Sequence, residues 1–288
     1  MRSLFTILAF IFIILLIGRN LSFLPKFNLA FNNQNETEEI RNKVKKIIAK
    51  QKGSYSVYYA DLKNPNSSFG IDEKQMHTGA SINKLPIVAV LYFLDNKKET
   101  DLDEKIILQK EDIQDYGTGS LRYQKPGGSY SLRTLAKLSL KQSDNTASYI
   151  IATKIGVGKI QKIINEWGLS QTDMADNKTT VLDEQVLLKK IYEGKITNKA
   201  NTQELLGFIK DTDIEDRIPL LLDKKTVVFH KTGDAIGNIH DVGIIEKDGI
   251  SFYLGVMTSD IGDKENETKK VIAEIAKTIL DYKENRKY

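Results

Sequence analysis

The chain contains no cysteine and only three histidines and five prolines among its 288 residues. The absence of cysteine excludes disulfide bridges, thiolate zinc sites, a cysteine nucleophile and a lipoprotein-type cysteine anchor. The histidines, His77, His230 and His240, lack the spacing of metal ligands, so no metal or cofactor site is predicted. The low proline content, together with 41% hydrophobic residues, is typical of a globular protein with a buried core.

The chain also lacks a long run of charge of one sign. Its 42 basic and 38 acidic residues give a formal net charge of +4, and the two signs are interspersed. Nucleic-acid binding is therefore not indicated. A chain of this length has room for one large domain or two modest ones, and no internal repeat is visible.

A short apolar segment stands near the start of the chain. It runs from Leu4 to Ile17 and is followed by Gly18 and Arg19. This pattern is typical of an export signal, and the run is shorter than the roughly 20 residues of a full membrane span.

The residues after this segment favour an anchor that is not cleaved. No A-x-A-like cleavage site follows, and apolar residues return at Leu21 to Leu24, so residues 1–24 are predicted to hold the protein at the cell membrane. A cleaved signal peptide with a secreted product is the main alternative, and a buried core helix is a weaker one. Both main interpretations place the remaining chain outside the membrane. Residues 25–37, rich in Asn and Gln, are interpreted as a linker.

Hydrophobic periodicity predicts how the folded part is organised. A helix with Thr37 as its N-cap leads to two strands, Ser54 to Asp61 and Ser67 to Ile71. The patterns from Ser81 to about Lys210 are mostly helical. Three further strands follow, and a helix from Glu265 to Tyr282 ends the pattern.

This order of elements predicts an α/β fold of the α+β type. The three later strands are predicted at Thr226 to Lys231, Ile239 to Glu246 and Ser251 to Ser259. Residues 38–80 and 213–288 would together form an antiparallel sheet of about five strands flanked by helices. Residues 81–212 would form an all-helical part inserted between them.

Three short strings point to a reaction. They are Ser81-Ile-Asn-Lys84, Ser143-Asp-Asn145 and Lys231-Thr-Gly233. Ser81 and Lys84 are three residues apart, so they share one face of a helix that starts near Ser81. A serine hydroxyl becomes a good nucleophile when a neighbour removes its proton, and a lysine can do this when burial lowers its pKa.

Each string alone has a simpler interpretation. Ser81 can merely cap a helix with Lys84 in solvent, and the second string can cap the helix after it. The third string can be a strand end with a solvated lysine. These interpretations are favoured for isolated strings, because short strings recur by chance, but the ordered set outweighs them.

The set S-x-x-K, S-D-N and K-T-G is shared by class A β-lactamases and penicillin-binding proteins. The chain resembles this superfamily from about Ile40 to the C-terminal helix. Longer strings carry the likeness: Gly79-Ala-Ser-Ile-Asn-Lys-Leu-Pro-Ile, Gln142-Ser-Asp-Asn-Thr-Ala-Ser-Tyr and Arg217-Ile-Pro-Leu-Leu.

The resemblance implies catalytic roles for four residues. Ser81 would attack a carbonyl or lactam carbon and become acylated, with Lys84 as its base. Ser143 would relay a proton to the leaving nitrogen. Lys231 would add a fixed positive charge to the same site.

The resemblance also implies a substrate-binding set. Asn145 would hold the substrate amide, and Lys231 and Thr232 would hold its carboxylate. The backbone N–H groups of the nucleophilic serine and of Asp234 would form the oxyanion hole, with Gly233 permitting close approach of the backbone.

One departure from the class A pattern concerns deacylation. Class A enzymes activate the deacylating water with a glutamate in a loop between the second and third strings. The matching stretch here, Asp173-Met-Ala-Asp-Asn-Lys-Thr-Thr-Val, is shorter and holds no such glutamate, and Glu166 lies on the helix before it. Asp173 or Asp176 could substitute, although a surface-loop carboxylate is the simpler interpretation.

Two further positions are left open. His240 stands where many class A enzymes have an arginine that binds the substrate carboxylate, so it is either a weaker anchor or, with Asp241, a structural residue. Tyr116 is either a wall of the substrate site or part of a plain surface turn.

The expected function is that of an extracytoplasmic serine acyl-transfer enzyme. Its partners would be β-lactams or peptidoglycan stem peptides, and it is predicted to be a monomer. The missing glutamate favours penicillin-binding, D-Ala-D-Ala peptidase-like activity over efficient β-lactam hydrolysis. The alternatives are a true class A-like β-lactamase, a non-catalytic sensor of peptidoglycan or β-lactams, and a serine esterase or amidase for other substrates.

Overall fold

The computed structural model describes residues 31–64 and 66–286. The helices of these residues are α1 (Phe31–Ile48), α2 (Lys84–Asn96), α3 (Leu132–Lys141), α4 (Asn145–Ile155), α5 (Val157–Glu166), α6 (Val181–Tyr192), α7 (Lys199–Phe208) and α8 (Glu265–Glu284). The strands are β1 (Ser54–Asp61), β2 (Ser68–Ile71), β3 (His77–Thr78), β4 (Lys105–Ile107), β5 (Ser129–Ser131), β6 (Lys178–Thr179), β7 (Val227–Ala235), β8 (Asn238–Lys247) and β9 (Ile250–Ser259).

The main sheet has five antiparallel strands in the order β2-β1-β9-β8-β7. Successive side chains of β9 point into two different hydrophobic clusters. Phe252 and Leu254 pack with α1 and α8, whereas Tyr253 packs in the cluster formed by helices α2 to α7. This alternation is the period of two that a strand requires. The predicted α+β architecture is confirmed, and both faces of the sheet are covered.

The prediction of strand ends was less accurate at the third motif. β7 continues beyond Lys231 to Ala235, where a tight hairpin leads into β8 through the pair Ala235 and Asn238. The K-T-G residues therefore lie within a strand of the sheet, and the pairing with β8 fixes their backbone.

The inserted part is built around α2, whose residues from Lys84 to Tyr92 are all buried. Helices α3, α4 and α5 pack against it. The part is not all-helical as predicted, because it also contains the antiparallel pair of β4 with β5 and the strand β6, which pairs with β3. These strands have two or three residues each, too few to show an alternating pattern in the sequence.

The start of the chain differs from the predicted linker. Helix α1 covers Phe31–Ile48, so residues 31–37 are helical where a tether was expected, and these residues lack the apolar periodicity that predicts a helix. The chain from Thr37 onward forms one compact unit. The predicted membrane segment lies outside the described residues, and among residues 31–64 and 66–286 no helix combines the length and apolar character needed to span a membrane.

Truncation of a core residue of α8 is predicted to destabilise the fold. Ile275 is fully buried between α8 and the sheet, so Ile275→Ala should lower the free energy of unfolding by about 3 kcal/mol. Urea denaturation measures this change. Lys277→Ala on the exposed side of the same helix is the control, and its change should stay below about 0.5 kcal/mol. Equal losses in the two variants would contradict the assignment of the buried face.

Candidate active site

Ser81 lies in a single 3-10 turn, Ala80–Asn83, that leads directly into α2. The turn brings the Nζ of Lys84, the first residue of α2, to 2.9 Å from the Ser81 hydroxyl oxygen. Ala80 has a positive φ of 48°, a conformation that costs energy for a residue with a side chain. The chain thus turns sharply just before the serine and places it beside the lysine, as the spacing predicts.

The amine of Lys84 is surrounded by oxygen atoms. Besides the Ser81 hydroxyl, it contacts the backbone oxygen of Ser143, the Ser143 hydroxyl at 3.2 Å and the Asn145 side-chain oxygen at 2.7 Å. Burial disfavours the ammonium form and lowers the pKa of Lys84 to about 7, although the carboxylate of Asp144 opposes the shift. A large fraction of Lys84 is therefore neutral near physiological pH and can accept a proton.

The second motif divides its tasks between residues. Asp144 is the N-cap of α4, and its carboxylate accepts hydrogen bonds from Ala147 N at 2.9 Å and Leu121 N at 2.8 Å. Ser143 and Asn145, on either side of this cap, direct their side chains to Lys84. The second string is thus both a helix cap and a part of the site, because Asp144 fixes the turn from which Ser143 and Asn145 reach Lys84.

Lys231 supplies a second amine to the same serine. Its Nζ donates to the Ser143 hydroxyl at 2.9 Å and to the backbone oxygen of Thr232 at 2.9 Å. Burial, followed by repulsion from Lys84 and Arg217, holds the pKa of Lys231 well below its ordinary value. Ser143 therefore lies between two lysines, in position to pass a proton between them and a substrate.

Gly233 is required because the strand passes close to the serine turn. A Cβ atom at this position would come within 2.9 Å of Ile82 Cγ1 and 3.1 Å of Gly79 O. Only glycine avoids this crowding without a shift of the turn. The third motif thus borders the nucleophile, and Thr232, which is buried, lies beside it in the strand.

Arg217 belongs to the site region, although the sequence predicted no role for it beyond its place in a string that resembles the superfamily. It is fully buried, and its guanidinium donates to His240 O at 2.7 Å, Gly233 O at 3.3 Å and both carboxylate oxygens of Asp234 at 2.6 and 2.8 Å. It therefore supports the end of β7 at the predicted oxyanion hole. A single arginine ahead of an apolar Ile-Pro-Leu-Leu run was the available signal.

His240 has no free nitrogen to offer a substrate. Its Nε2 donates to Thr78 O at 2.8 Å and its Nδ1 accepts from Thr258 N at 3.1 Å. Burial lowers the pKa of His240 to about 4, so the ring is neutral. Of the two interpretations left open, the geometry supports the structural one and disagrees with a carboxylate anchor. Its neighbour Asp241 bonds to His230.

Tyr116 belongs to a loop that packs on the second motif. Its backbone oxygen accepts from the Asn145 side chain at 3.1 Å, and Thr118 donates to Ser143 O at 2.8 Å. The Tyr116 residue itself is 63% exposed. Its backbone thus helps to orient Asn145, and its role as a wall of the substrate site stays a prediction.

The loop that could replace the deacylation glutamate offers no carboxylate to the serine. One oxygen of Asp173 accepts hydrogen bonds from Ala175 N and Asp176 N at 2.9 and 3.0 Å, and Asp176 is exposed. Glu166 is exposed on α5. Among residues 31–64 and 66–286, no carboxylate forms a hydrogen bond with Ser81 or Lys84. The simpler interpretation of these loop residues therefore agrees with the structure.

Asn177 holds this short loop against the nucleophile turn. Its backbone oxygen accepts from Gly79 N at 2.7 Å, and its side-chain oxygen accepts from the Asn83 amide at 2.7 Å. The loop consequently fixes both ends of the turn that carries Ser81. It supports the nucleophile without contributing an acid or base.

A buried glutamate lies at the start of the helix after the loop. Glu184 is fully buried on α6 and accepts one hydrogen bond, from Thr179 at 2.8 Å. Burial raises the pKa of Glu184 to about 8. Its carboxyl group is therefore mostly protonated at neutral pH and poorly suited to act as a base.

In this site one serine is hydrogen-bonded to a buried lysine, and a second serine lies between two lysines. This arrangement is that of an active-site-serine enzyme. The model of the Beta-lactamase enzyme family matches residues 39–283. The chain belongs to this family and is a serine β-lactamase-like enzyme.

Two curated relatives are β-lactamases. One from Phocaeicola vulgatus is 24% identical over 277 residues, 84% of each chain, and one from Bacteroides uniformis is 26% identical over 224 residues, 67% of this chain and 74% of that protein. Among solved structures, PBP-A matches with a TM-score of 0.80 and 23% identity, over 86% of this chain and 96% of that one. The extended-spectrum β-lactamase TLA-1 matches with a TM-score of 0.80 and 24% identity, over 86% and 99%. A variant of PBP-A is described as an acyl-enzyme complex with penicillin G.

Replacement of Glu184 is predicted to stabilise the protein above acidic pH. A carboxyl whose pKa is raised from 4.5 to about 8 keeps its proton in the folded state while the unfolded state loses it, so wild-type stability falls as pH rises between these values. Glu184→Gln removes this loss and should gain about 4 kcal/mol in free energy of unfolding near the upper value relative to wild type. Urea denaturation across pH measures it, with the exposed Glu166→Gln as control. If the difference in free energy of unfolding between Glu184→Gln and wild type did not grow with pH, the conclusion that Glu184 is buried in its protonated form would be contradicted.

Proposed function

We propose that this protein is an extracytoplasmic serine acyl-transfer enzyme whose Ser81 is acylated by β-lactams or D-Ala-D-Ala peptides and deacylates slowly. One observation carries the proposal: the acylation groups are assembled, while no described carboxylate is bonded to Ser81 or Lys84. Penicillin-binding, peptidase-like activity then fits better than rapid β-lactam hydrolysis. The predicted N-terminal segment would tether the domain to the membrane.

Acylation begins with proton transfer from Ser81 to Lys84. The neutral Lys84 amine, 2.9 Å away, accepts the hydroxyl proton as Ser81 Oγ attacks the carbonyl carbon. The C–N bond then breaks, and the leaving nitrogen needs a proton. Ser143 donates its own proton to that nitrogen and takes one back from Lys84, at 3.2 Å, so the protons balance.

The remaining residues hold the substrate during this step. Lys231 and Thr232 would bind its carboxylate, and the side chain of Asn145 would hold its amide. The backbone N–H groups of Ser81 and Asp234 would stabilise the developing oxyanion. The close approach of β7 to the serine turn at Gly233 supports this arrangement.

Hydrolysis of the ester requires a second base to activate water. Among the described residues, the amine within hydrogen-bond distance of the Ser81 oxygen is that of Lys84, and the loop carboxylates are used elsewhere or exposed. Loss of the deacylation base leaves acylation intact while the acyl-enzyme persists. The adduct should therefore accumulate.

The adduct is predicted to survive for hours. After incubation of the purified protein with benzylpenicillin, intact-mass spectrometry should show near-stoichiometric addition of the whole penicillin, and this adduct should decay only over hours. Ser81→Ala should show none. Rapid turnover without a lasting adduct would restore the β-lactamase alternative, and the absence of any adduct would contradict acylation by β-lactams altogether.

The acylation rate is predicted to rise with pH. Since Lys84 must be neutral to accept the serine proton and its pKa is about 7, the second-order acylation constant should increase about tenfold per pH unit below that value and level off above it. Stopped-flow measurement with a chromogenic cephalosporin gives this constant. Lys84→Arg, which stays protonated, should be acylated extremely slowly. A wild-type profile without a rise through this range would exclude Lys84 as the base.

A further inference from the structure

His230 is a buried residue that the proposed mechanism does not use. It precedes Lys231 in β7 and is fully buried. Side chains alternate along a strand, so His230 shares a sheet face with Thr232, whose cross-strand partner is Asp241. The ring accordingly reaches Asp241 from the strand that carries the third motif.

Both ring nitrogens of His230 meet carboxylates. Nδ1 lies 2.9 Å from Asp241 Oδ1, and Nε2 lies 3.0 Å from Glu215 Oε1. A carboxylate only accepts hydrogen bonds, so both nitrogens must carry hydrogen and the ring must be an imidazolium. Burial alone would lower the pKa of His230, but Asp241 and then Glu215 outweigh it and raise the pKa to about 9.

The two carboxylates connect His230 to the chain segment that bears Arg217. Glu215 also accepts from the backbone N–H of Thr212 at 2.6 Å, and the second oxygen of Asp241 accepts from the backbone N–H of Ile218 at 3.0 Å. The cation thus ties both ends of residues 212–218 to strands β7 and β8. Arg217, between these ends, supports Gly233 and Asp234.

Other charges face the same region. Lys231 follows His230 in β7, and Lys141 from the end of α3 lines the same narrow cleft beside His230 and Thr232. Asp241 raises the pKa of Lys231 while Arg217 lowers it. Loss of the imidazolium charge would leave Asp241 buried without its cation and would loosen the segment that supports the strand end.

We propose that His230 is a positioning residue for recognition of the substrate carboxylate, acting by clamping residues 212–218 against the strand that presents Lys231 and Thr232. The inference rests on the proposed function, in which these two residues bind that carboxylate. It assigns to the Glu215–His230–Asp241 cluster a role in substrate affinity, distinct from the proton transfers at Ser81.

The first test compares His230→Gln with wild type as purified full chains. For benzylpenicillin the second-order acylation constant should fall about tenfold, through a higher concentration for half-maximal acylation and with a limiting rate within about threefold. For the methyl ester of benzylpenicillin, which lacks the carboxylate, the two proteins should differ by less than about twofold. An equal loss with both compounds, or a loss in the limiting rate alone, would overturn the inference.

The pH dependence gives a second readout that mere loosening of the fold would not produce. As pH rises through about 9, wild-type His230 loses its proton, so the wild-type advantage for benzylpenicillin should shrink toward one. If the ratio of the wild-type to the His230→Gln acylation constant stayed the same across this pH range, the role of the imidazolium charge would be contradicted.

Glu215→Gln keeps the inference testable if His230→Gln does not fold. It leaves the buried bond between His230 and Asp241 intact and should raise the half-maximal concentration about threefold. Glu193→Gln is the matched control, since the Glu193 side chain is 32% exposed against 39% for Glu215 and lies outside the cluster. Equal effects of the two glutamine variants would overturn the inference.

These tests are separate from the test of adduct lifetime. The second-order constant reports acylation whether or not the adduct persists. Rapid deacylation would therefore contradict the proposed function and leave the role of His230 measurable. A wild-type protein that penicillin does not acylate would overturn both.

Discussion

The site depends on the desolvated amine of Lys84. Burial of a lysine without compensation costs several kcal/mol, and the protein reduces this cost by letting the group be neutral and by surrounding it with oxygen acceptors. The apolar helix α2 supplies the burial, and the turns around Ser81 and Ser143 supply the acceptors. The same constraint that makes Lys84 expensive to bury makes it a base near neutral pH.

The second buried lysine adds an electrostatic consequence. Burial, together with repulsion from Lys84 and Arg217, holds the pKa of Lys231 well below its ordinary value. A substrate carboxylate bound beside Lys231 would favour its charged form. Asp234 neutralises Arg217, and Asp241 with Glu215 neutralises His230, so each of these two buried cations has an acidic partner. Lys231 forms no ion pair among the described residues, which fits its proposed role in binding the substrate carboxylate.

Local patterns predicted most of the sheet and the group of residues around Lys84. The strings at Ser81, Ser143 and Lys231 are short, so the spacing within each string predicts local geometry directly. That the three strings share one site was implied by the resemblance of the ordered set to a known superfamily. The hydrophobic patterns of the residues that form β9 and α8 likewise predicted a strand and a helix there. What escaped prediction depends on contacts between residues distant in the chain.

Three cases show the limit. In the sequence Arg217 looks like an isolated charged residue, which is ordinarily exposed. In the fold it is hydrogen-bonded to Asp234 and to the carbonyl of His240. His240 and His230 are indistinguishable by type, yet one is neutral between backbone groups and the other is charged between two carboxylates. Residues 31–37 lack an apolar stripe and are nevertheless helical. For Arg217 and the two histidines, tertiary surroundings, which periodicity does not describe, decide the outcome.

The charge state of Lys84 is the quantity that tests this account most directly. Heteronuclear NMR of protein carrying lysine labelled with ¹³C and ¹⁵N, with the signal assigned by comparison with Lys84→Arg, follows the amine through its titration. A midpoint near 7 is predicted. A midpoint near 10.5, the ordinary lysine value, would show that the amine stays protonated at neutral pH and would contradict its role as the base.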